Sequence, residues 1–284
     1  MTSLSARIVV FLSNLISRWW PPSFERYEDE LAYSRWQMEN AEQTYQTLYH
    51  KFSPFEGKRV LDLGCGEGGK TTYYAGRGPS IIVGIDIGKE KIARARKFCS
   101  SQGRSDNCHF LVCSADHLPF KLGVFDIVIS EDCFDHYSRP ESVVAEVHSI
   151  LREGGVFLVR FDTYYNWGGS HLYNFIRIPW VHLFFSDETL IEATRLIARQ
   201  LSGKRAGEKR RETYEEQAER EIYQFKHFVN RITLKRWRKM IRDGRWRILW
   251  EDTQALGRRI PLLRLPLLEE LYNSLFYVLE KKAA

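Results

Sequence analysis

Short apolar runs separated by glycine-rich and charged stretches recur between residues 60 and 161. The runs at 60–63, 80–86, 108–113, 125–130 and 156–161 are nearly continuous rather than alternating, as strands covered on both faces are. Between them, 70–76, 89–101 and 140–151 read as helices, and the Arg-Glu-Gly-Gly stretch at 152–155 reads as a turn before the fifth strand. This alternation predicts an α/β chain with a mostly parallel sheet and helices on both faces.

The pattern changes on either side of that block. Residues 28–52 read as helix, with Tyr33, Trp36, Tyr45 and Tyr49 along it, as core rings or as a shield for a bound cation. Residues 4–20 carry a helical stripe of Ile8, Phe11, Leu12, Leu15 and Trp19, which Trp19-Trp20-Pro21-Pro22 brings to a stop. Two readings fit the stripe: a helix packed on its own domain or over a substrate mouth, or an in-plane membrane anchor. From 162 to 244 strand alternation is lost. An aromatic, glycine-rich loop at 164–171 leads to an apolar stretch at 176–185. Helices follow, one capped by Ser186 or Asp187 and running to about 201, one over about 208–230, and one opened by Thr233 and ended by Gly244. Residues 246–251 fit a sixth strand, 262–271 a short helix broken by Pro266, and 275–280 a last strand with helix as its competitor.

The candidate chemistry starts at the first strand. Gly64, Gly66, Gly68 and Gly69 follow it at once, so backbone N–H groups can come close to a ligand between a strand and a helix start. Gly64, Gly66 and Gly69 match a dinucleotide pattern, but Asp62, two residues ahead, suits a cationic ligand end better than a pyrophosphate. Asp86 closes the second strand, where a carboxylate can accept hydrogen bonds from vicinal ribose hydroxyls. Asp116-His117-Leu118-Pro119-Phe120 follows the third strand, and Glu131-Asp132-Cys133-Phe134-Asp135-His136 the fourth.

These stretches, with 150–156, resemble the successive motifs of the class I S-adenosylmethionine (SAM) methyltransferases, in the small-molecule, type 11-like branch; Glu153 stands where that family has Pro. The resemblance covers residues 58–161 well and 233–282 loosely, and leaves 1–57 and 162–232 without a motif. It implies a Rossmann-like seven-stranded sheet with a helical insertion between strands five and six. The divisions would be an N-terminal helical cap (1–57), a SAM-binding core (58–161), a helical lid (162–244) and final strands (245–284). It implies SAM as cofactor. Asp62, Gly64, Cys65, Gly66 and Gly68 would lie at its methionine end and Asp86 at the ribose, with Ile87 as a further cofactor contact. Ala115, Asp116 and His117 would lie at the adenine, and Glu131 beside the cofactor.

Methyl transfer from a sulfonium is an in-line displacement, so the protein mainly aligns the reactants, and a base is needed only for a protonated nucleophile. His136 and His171 are the candidate bases; His182, among apolar neighbours, reads as a core histidine. No clustered metal-ligand motif occurs in the sequence.

Composition refines this picture. The chain has 284 residues, is 44% hydrophobic and 14% aromatic, and can bury a sizeable core. Five scattered cysteines without C-x-x-C pairs suit a reducing compartment. A cytoplasmic location, with or without membrane attachment, is expected. The net charge of +6 is uneven: residues 199–247 hold 16 Lys and Arg against 7 Asp and Glu. That segment reads as a solvated helical face or as a nucleic-acid surface interleaved with Trp237, Trp246 and Trp250. The favoured function is methyl transfer to a small-molecule or lipid-like acceptor. A nucleic-acid (RNA) methyltransferase and a catalytically silent SAM-binding subunit are the alternatives.

Overall fold

A computed structural model describes residues 2–21, 29–52, 54–204, 212–252, 271 and 274–283. Seven strands form one sheet: β1 (Arg59–Leu63), β2 (Ile81–Asp86), β3 (Cys108–Val112), β4 (Phe125–Glu131), β5 (Leu151–Asp162), β6 (Trp246–Asp252) and β7 (Ser274–Lys281). Their order is β3-β2-β1-β4-β5-β7-β6. The first five pair in parallel, and β7 runs antiparallel between β5 and β6. Strand order reverses between β1 and β4, which opens a crevice at the carboxyl ends of those strands, where open α/β sheets bind ligands.

The helices are α1 (Leu4–Ile16), α2 (Ala32–Thr44), α3 (His50–Phe52), α4 (Gly69–Ala75), α5 (Lys89–Ser101), α6 (Pro140–Ile150), α7 (Asp187–Lys204), α8 (Tyr214–His227) and α9 (Leu234–Ile241). A π-helical turn, Tyr45–Tyr49, joins α2 to α3. The fold class is the one expected, and α7, α8 and α9 form the helical insertion between β5 and β6.

Several boundaries differ from expectation for identifiable reasons. The turn expected at 152–155 lies inside β5: the register steps from Phe125↔Leu151 to Ile127↔Val156, so the glycine pair forms a bulge rather than a break. α8 starts at Tyr214 because Thr213 and Glu216 form a reciprocal capping box. α9 ends at Ile241, and Gly244, at φ +92°, serves the turn into β6. The last segment is strand, not helix, because β7 is held on both sides by β5 and β6. The helix expected at 262–271 lies outside the described residues apart from Leu271.

Alternate residues of β1 face opposite layers. Leu61 and Leu63 join α6 and α9 in one core, and Val60 joins α2, α4 and α5 in the other. A third core lies within the insertion, where Leu172, Phe175, Leu190, Ile197, Ile222 and Phe225 pack together with Ala6 and Val9 of α1. Residues 1–57 are therefore divided. α1 belongs with the insertion, while α2 lies across the glycine loop, its Ser34 Oγ donating to the Glu67 carbonyl at 3.0 Å.

α1 also turns an unexpected face inward. The buried residues are Ala6, Val9, Val10 and Ser13, whose small side chains let the helix approach closely, whereas Ile8, Phe11, Leu15 and Trp19 are exposed.

Candidate functional site

The glycine loop is shaped by left-handed backbone. Gly64, Gly66 and Gly68 have φ of +72°, +57° and +75°, a region that costs about 1 kcal/mol or more with a Cβ present. At Gly64 a Cβ would also lie 2.6 Å from Cys133 Sγ. That thiol donates to the Leu63 carbonyl at 3.0 Å and meets Tyr137 Oη at 3.1 Å, so the segment after β4 is seated directly on the loop. Burial pushes Cys133 up to about 12, which keeps it a thiol.

The expected cofactor residues gather along the crevice. Asp86 accepts from the Gly66 N–H at 3.2 Å and the Gly88 N–H at 2.8 Å, with Lys91 Nζ at 3.7 Å. A carboxylate has about four acceptor positions, so hydroxyl donors can still be served. Ile87, next in the chain, exposes its apolar side chain. Cys65 is buried under the loop, and its N–H donates to the Ile85 carbonyl at 2.9 Å. Asp62 is buried and accepts from Thr71 Oγ1 at 2.5 Å. Burial, with the Glu131 charge behind it, pushes Asp62 up to about 7 against the pull of Thr71. Asp116 is the opposite case. Ser114, His117 and Arg139 surround its carboxylate and hold it down at about 2, with Ser114 Oγ at 2.5 Å and Arg139 Nε at 2.8 Å. Ala115 is buried beneath it, and His117 lies at the surface.

This arrangement fits SAM on its own evidence. A Cβ built on Gly66 would meet nothing within 4 Å, so the loop has room above it. Gln37 Oε1, on the helix packed against Gly69, is buried without a hydrogen-bond partner among the described residues. Three carboxylates at successive strand ends match the amino, ribose and adenine donors of such a ligand.

Glu131 is placed differently. It is buried, accepts from Tyr74 Oη at 2.5 Å and Lys70 Nζ at 2.9 Å, and lies 3.8 Å from Arg160. Burial opposes its charge, but Lys70 and Arg160 outweigh that and lower its pKa. Asp132, left-handed at φ +56°, bridges the same two cations, with Lys70 Nζ at 2.9 Å and Arg160 at 2.6 Å. These four residues form an ion network that fixes the end of β4 against β5.

Beyond this network the chain turns through Phe134–His136 and brings both candidate bases together. Asp135 is buried, His171 Nε2 lies 2.7 Å from its Oδ2, and His136 Nε2 lies 3.8 Å away. The two imidazoles are 4.7 Å apart between ring centres. Their basicities diverge. Burial works against a charge on each, but the hydrogen bond to Asp135 raises His171, while His136, facing the His171 charge, is lowered. His171 thus keeps a proton to higher pH than His136, the kind of separation that assigns acid and base roles. His171 also has left-handed backbone, φ +57°, held by its N–H to the Gly168 carbonyl at 2.8 Å. His182 stands apart: it is buried and its Nε2 donates to the Tyr164 carbonyl at 2.7 Å.

The cluster is held from behind. Phe134 packs on Phe161 and Trp237 with ring centres 5.0 Å from each, contacts that add about 0.5–1.5 kcal/mol apiece beyond burial. Asn230, from the insertion, donates through Nδ2 to the carbonyls of Phe134 and Tyr137 at 2.9 and 2.8 Å, and through its own N–H to the Asp135 carbonyl at 2.8 Å. Nothing in the sequence around Asn230 signals this role. Tyr164, Asp162 and Ile232 line a crevice beside Asp135 and His171 that is closed to a water-sized molecule in this conformation, and Asp162 Oδ1 is buried there without a partner among the described residues.

The sequence matches a family model described as a methyltransferase domain over residues 54–215. A ubiquinone biosynthesis O-methyltransferase from Thiobacillus denitrificans is 30% identical over 158 residues, 55% of this chain and 62% of that protein. A fatty-acid O-methyltransferase from Mycolicibacterium smegmatis is 35% identical over 115 residues, 39% of this chain and 40% of that protein. The chain thus spans between two fifths and two thirds of the length of these curated relatives. The fold is similar to that of an S-adenosylmethionine dependent methyltransferase from Mesorhizobium loti, with a TM-score of 0.53 and 17% identity, covering 84% of this chain and 97% of that one.

Proposed function

The chain belongs to the methyltransferase-domain family, whose cofactor is SAM, and from that premise we propose that it methylates a hydroxyl of a small, lipid-like acceptor. The observation that carries the hydroxyl is the Asp135–His136–His171 cluster beside the cofactor crevice. A neutral imidazole there serves a nucleophile that must lose a proton; a carboxylate acceptor would need none. The ubiquinone biosynthesis relative is an O-methyltransferase, and the fatty-acid relative, whose named acceptor bears a carboxyl group, supports only the lipid-like part of the reading.

SAM, when bound, supplies an electrophilic methyl group on a sulfonium. Asp86 would hold the ribose and Asp62 the amino end, with the backbone of Gly64, Cys65, Gly66 and Gly68 along the methionine portion. Ile87, Ala115, Asp116 and His117 would border the adenine, while Glu131 acts by fixing the end of β4. His136 takes the acceptor proton on Nδ1. Its Nε2 lies 3.8 Å from Asp135 Oδ2, so the charge gained lies near a carboxylate. Burial, with the imidazole of His171 beside it, holds His136 below its ordinary basicity until it acts.

The nucleic-acid reading receives less support. Among the described residues of the basic segment, Arg220, Arg231, Arg236, Arg238, Arg245 and Arg247 each pair with a carboxylate of this chain. Trp237 and Trp246 are buried rather than available for base stacking. The test is methyl transfer from SAM to long-chain phenols, fatty acids and bulk RNA in parallel, with SAM binding measured by calorimetry. Activity confined to RNA or to the carboxyl acceptors would overturn the proposal.

A further inference from the structure

The outward face of α1 is an apolar stripe left uncovered by the described residues of this chain. Leu4, Ile8, Phe11, Leu15 and Trp19 follow one another at spacings of three and four, and Leu4, Phe11 and Trp19 are 74, 67 and 89% exposed. The helix cannot roll to hide them, because its other face is locked in place. Ser13 Oγ donates to the Phe175 carbonyl at 3.3 Å and accepts from the Arg177 N–H at 2.9 Å. Ser3 N donates to Glu192 at 3.0 Å and Asn14 Nδ2 to Gln200 at 3.0 Å.

We propose that this face lies in the headgroup region of an anionic lipid bilayer. Charge complementarity selects the occupant: the first 24 residues contain Arg7 and Arg18 and no Asp or Glu. A lipid surface with negative headgroups matches a cationic, tryptophan-ended apolar stripe, whereas a second copy would bring like charges together. Length fixes the orientation. The 13 residues of α1 extend about 20 Å, short of the roughly 30 Å hydrocarbon core, so the helix lies along the surface.

The docked helix is mechanically continuous with the candidate site. Trp20 packs on Trp167 with ring centres 5.1 Å apart, and the Arg177 guanidinium lies 3.9 Å over Trp20. Trp167 belongs to the loop that ends in His171. A bilayer beneath α1 therefore lies against the segment carrying one member of the His–Asp cluster, a place suited to acceptors dissolved in membrane. Bilayer binding does not depend on the acceptor reading, and it is measured without SAM or turnover.

The experiment is flotation of the full chain with vesicles of phosphatidylcholine alone or mixed with phosphatidylglycerol. The expected result is binding to the mixed vesicles that weakens with salt and is poor on phosphatidylcholine alone. The double variant Phe11→Ser/Trp19→Ser, altered only at exposed rings, should keep its circular dichroism and SAM affinity and lose partitioning roughly 100-fold. Arg7→Gln/Arg18→Gln should abolish the preference for phosphatidylglycerol. The proposal is overturned if the ring variant floats like the parent. It is equally overturned if the parent ignores both vesicles and instead forms a concentration-dependent dimer that the ring variant abolishes.

Discussion

Replacing Asp62 by Asn should remove a pH dependence of stability that the parent carries. In the folded parent, burial pushes this carboxyl from 3.8 up to about 7. Between these values the folded state holds a proton that the unfolded chain has released, so stability falls as pH rises and levels off above pH 7. Each unit is worth about 1.4 kcal/mol, so ionising Asp62 costs on the order of 4 kcal/mol in all. Between pH 5 and pH 8 the loss is about 3 kcal/mol, because only the two units up to 7 count. Asp62→Asn has no proton to lose and can still accept from Thr71. Its stability relative to the parent should therefore rise by about that amount from pH 5 to pH 8 in urea unfolding. SAM should reverse the comparison, since an ammonium beside Asp62 favours the ionised form: it should stabilise the parent more at pH 8 than at pH 5 and the variant little at either. An equal stability difference at both pH values would refute the buried, proton-holding carboxylate.

Other expected outcomes follow from the same geometry. His136→Asn should lower kcat roughly 100-fold or more with SAM affinity unchanged. It should also remove an acid limb that in the parent lies below 6.5, the direction in which His136 is shifted; single-turnover rates across pH check this. Asp86→Ala should weaken SAM roughly 100-fold by calorimetry, through two charge-assisted hydrogen bonds of about 1.5 kcal/mol each; unchanged affinity would remove its ribose role. Asn230→Ala leaves the Phe134 and Tyr137 carbonyls without their side-chain donor and should cost about 2–3 kcal/mol in urea unfolding. If Asn230 positions the cluster, kcat should fall in that variant while SAM affinity holds.

The sheet and the crevice at its carboxyl edge were legible because their signals are local. Continuous apolar runs ended by Gly64, Asp86 and Asp116 specify strand tips directly. The candidate bases were visible only as separate residues: His136 and His171 meet because the insertion folds back over β4, and Asn230 is fixed by the same long-range packing. The α1 stripe shows the limit of periodicity. It identified the helix and its apolar face, but which face is buried was decided by close packing of Ala6, Val9 and Ser13 against the insertion. Likewise the glycines at 154–155 signalled a turn, and pairing with β4 absorbed them into a bulge.

The fate of a labelled methyl group tests the hydroxyl acceptor most directly. With methyl-labelled SAM and an equal mixture of a long-chain phenol, a fatty acid and RNA, the label should enter the organic phase as an ether that survives mild alkali. Label released by alkali as methanol, retained with the RNA or left wholly on SAM would contradict the account.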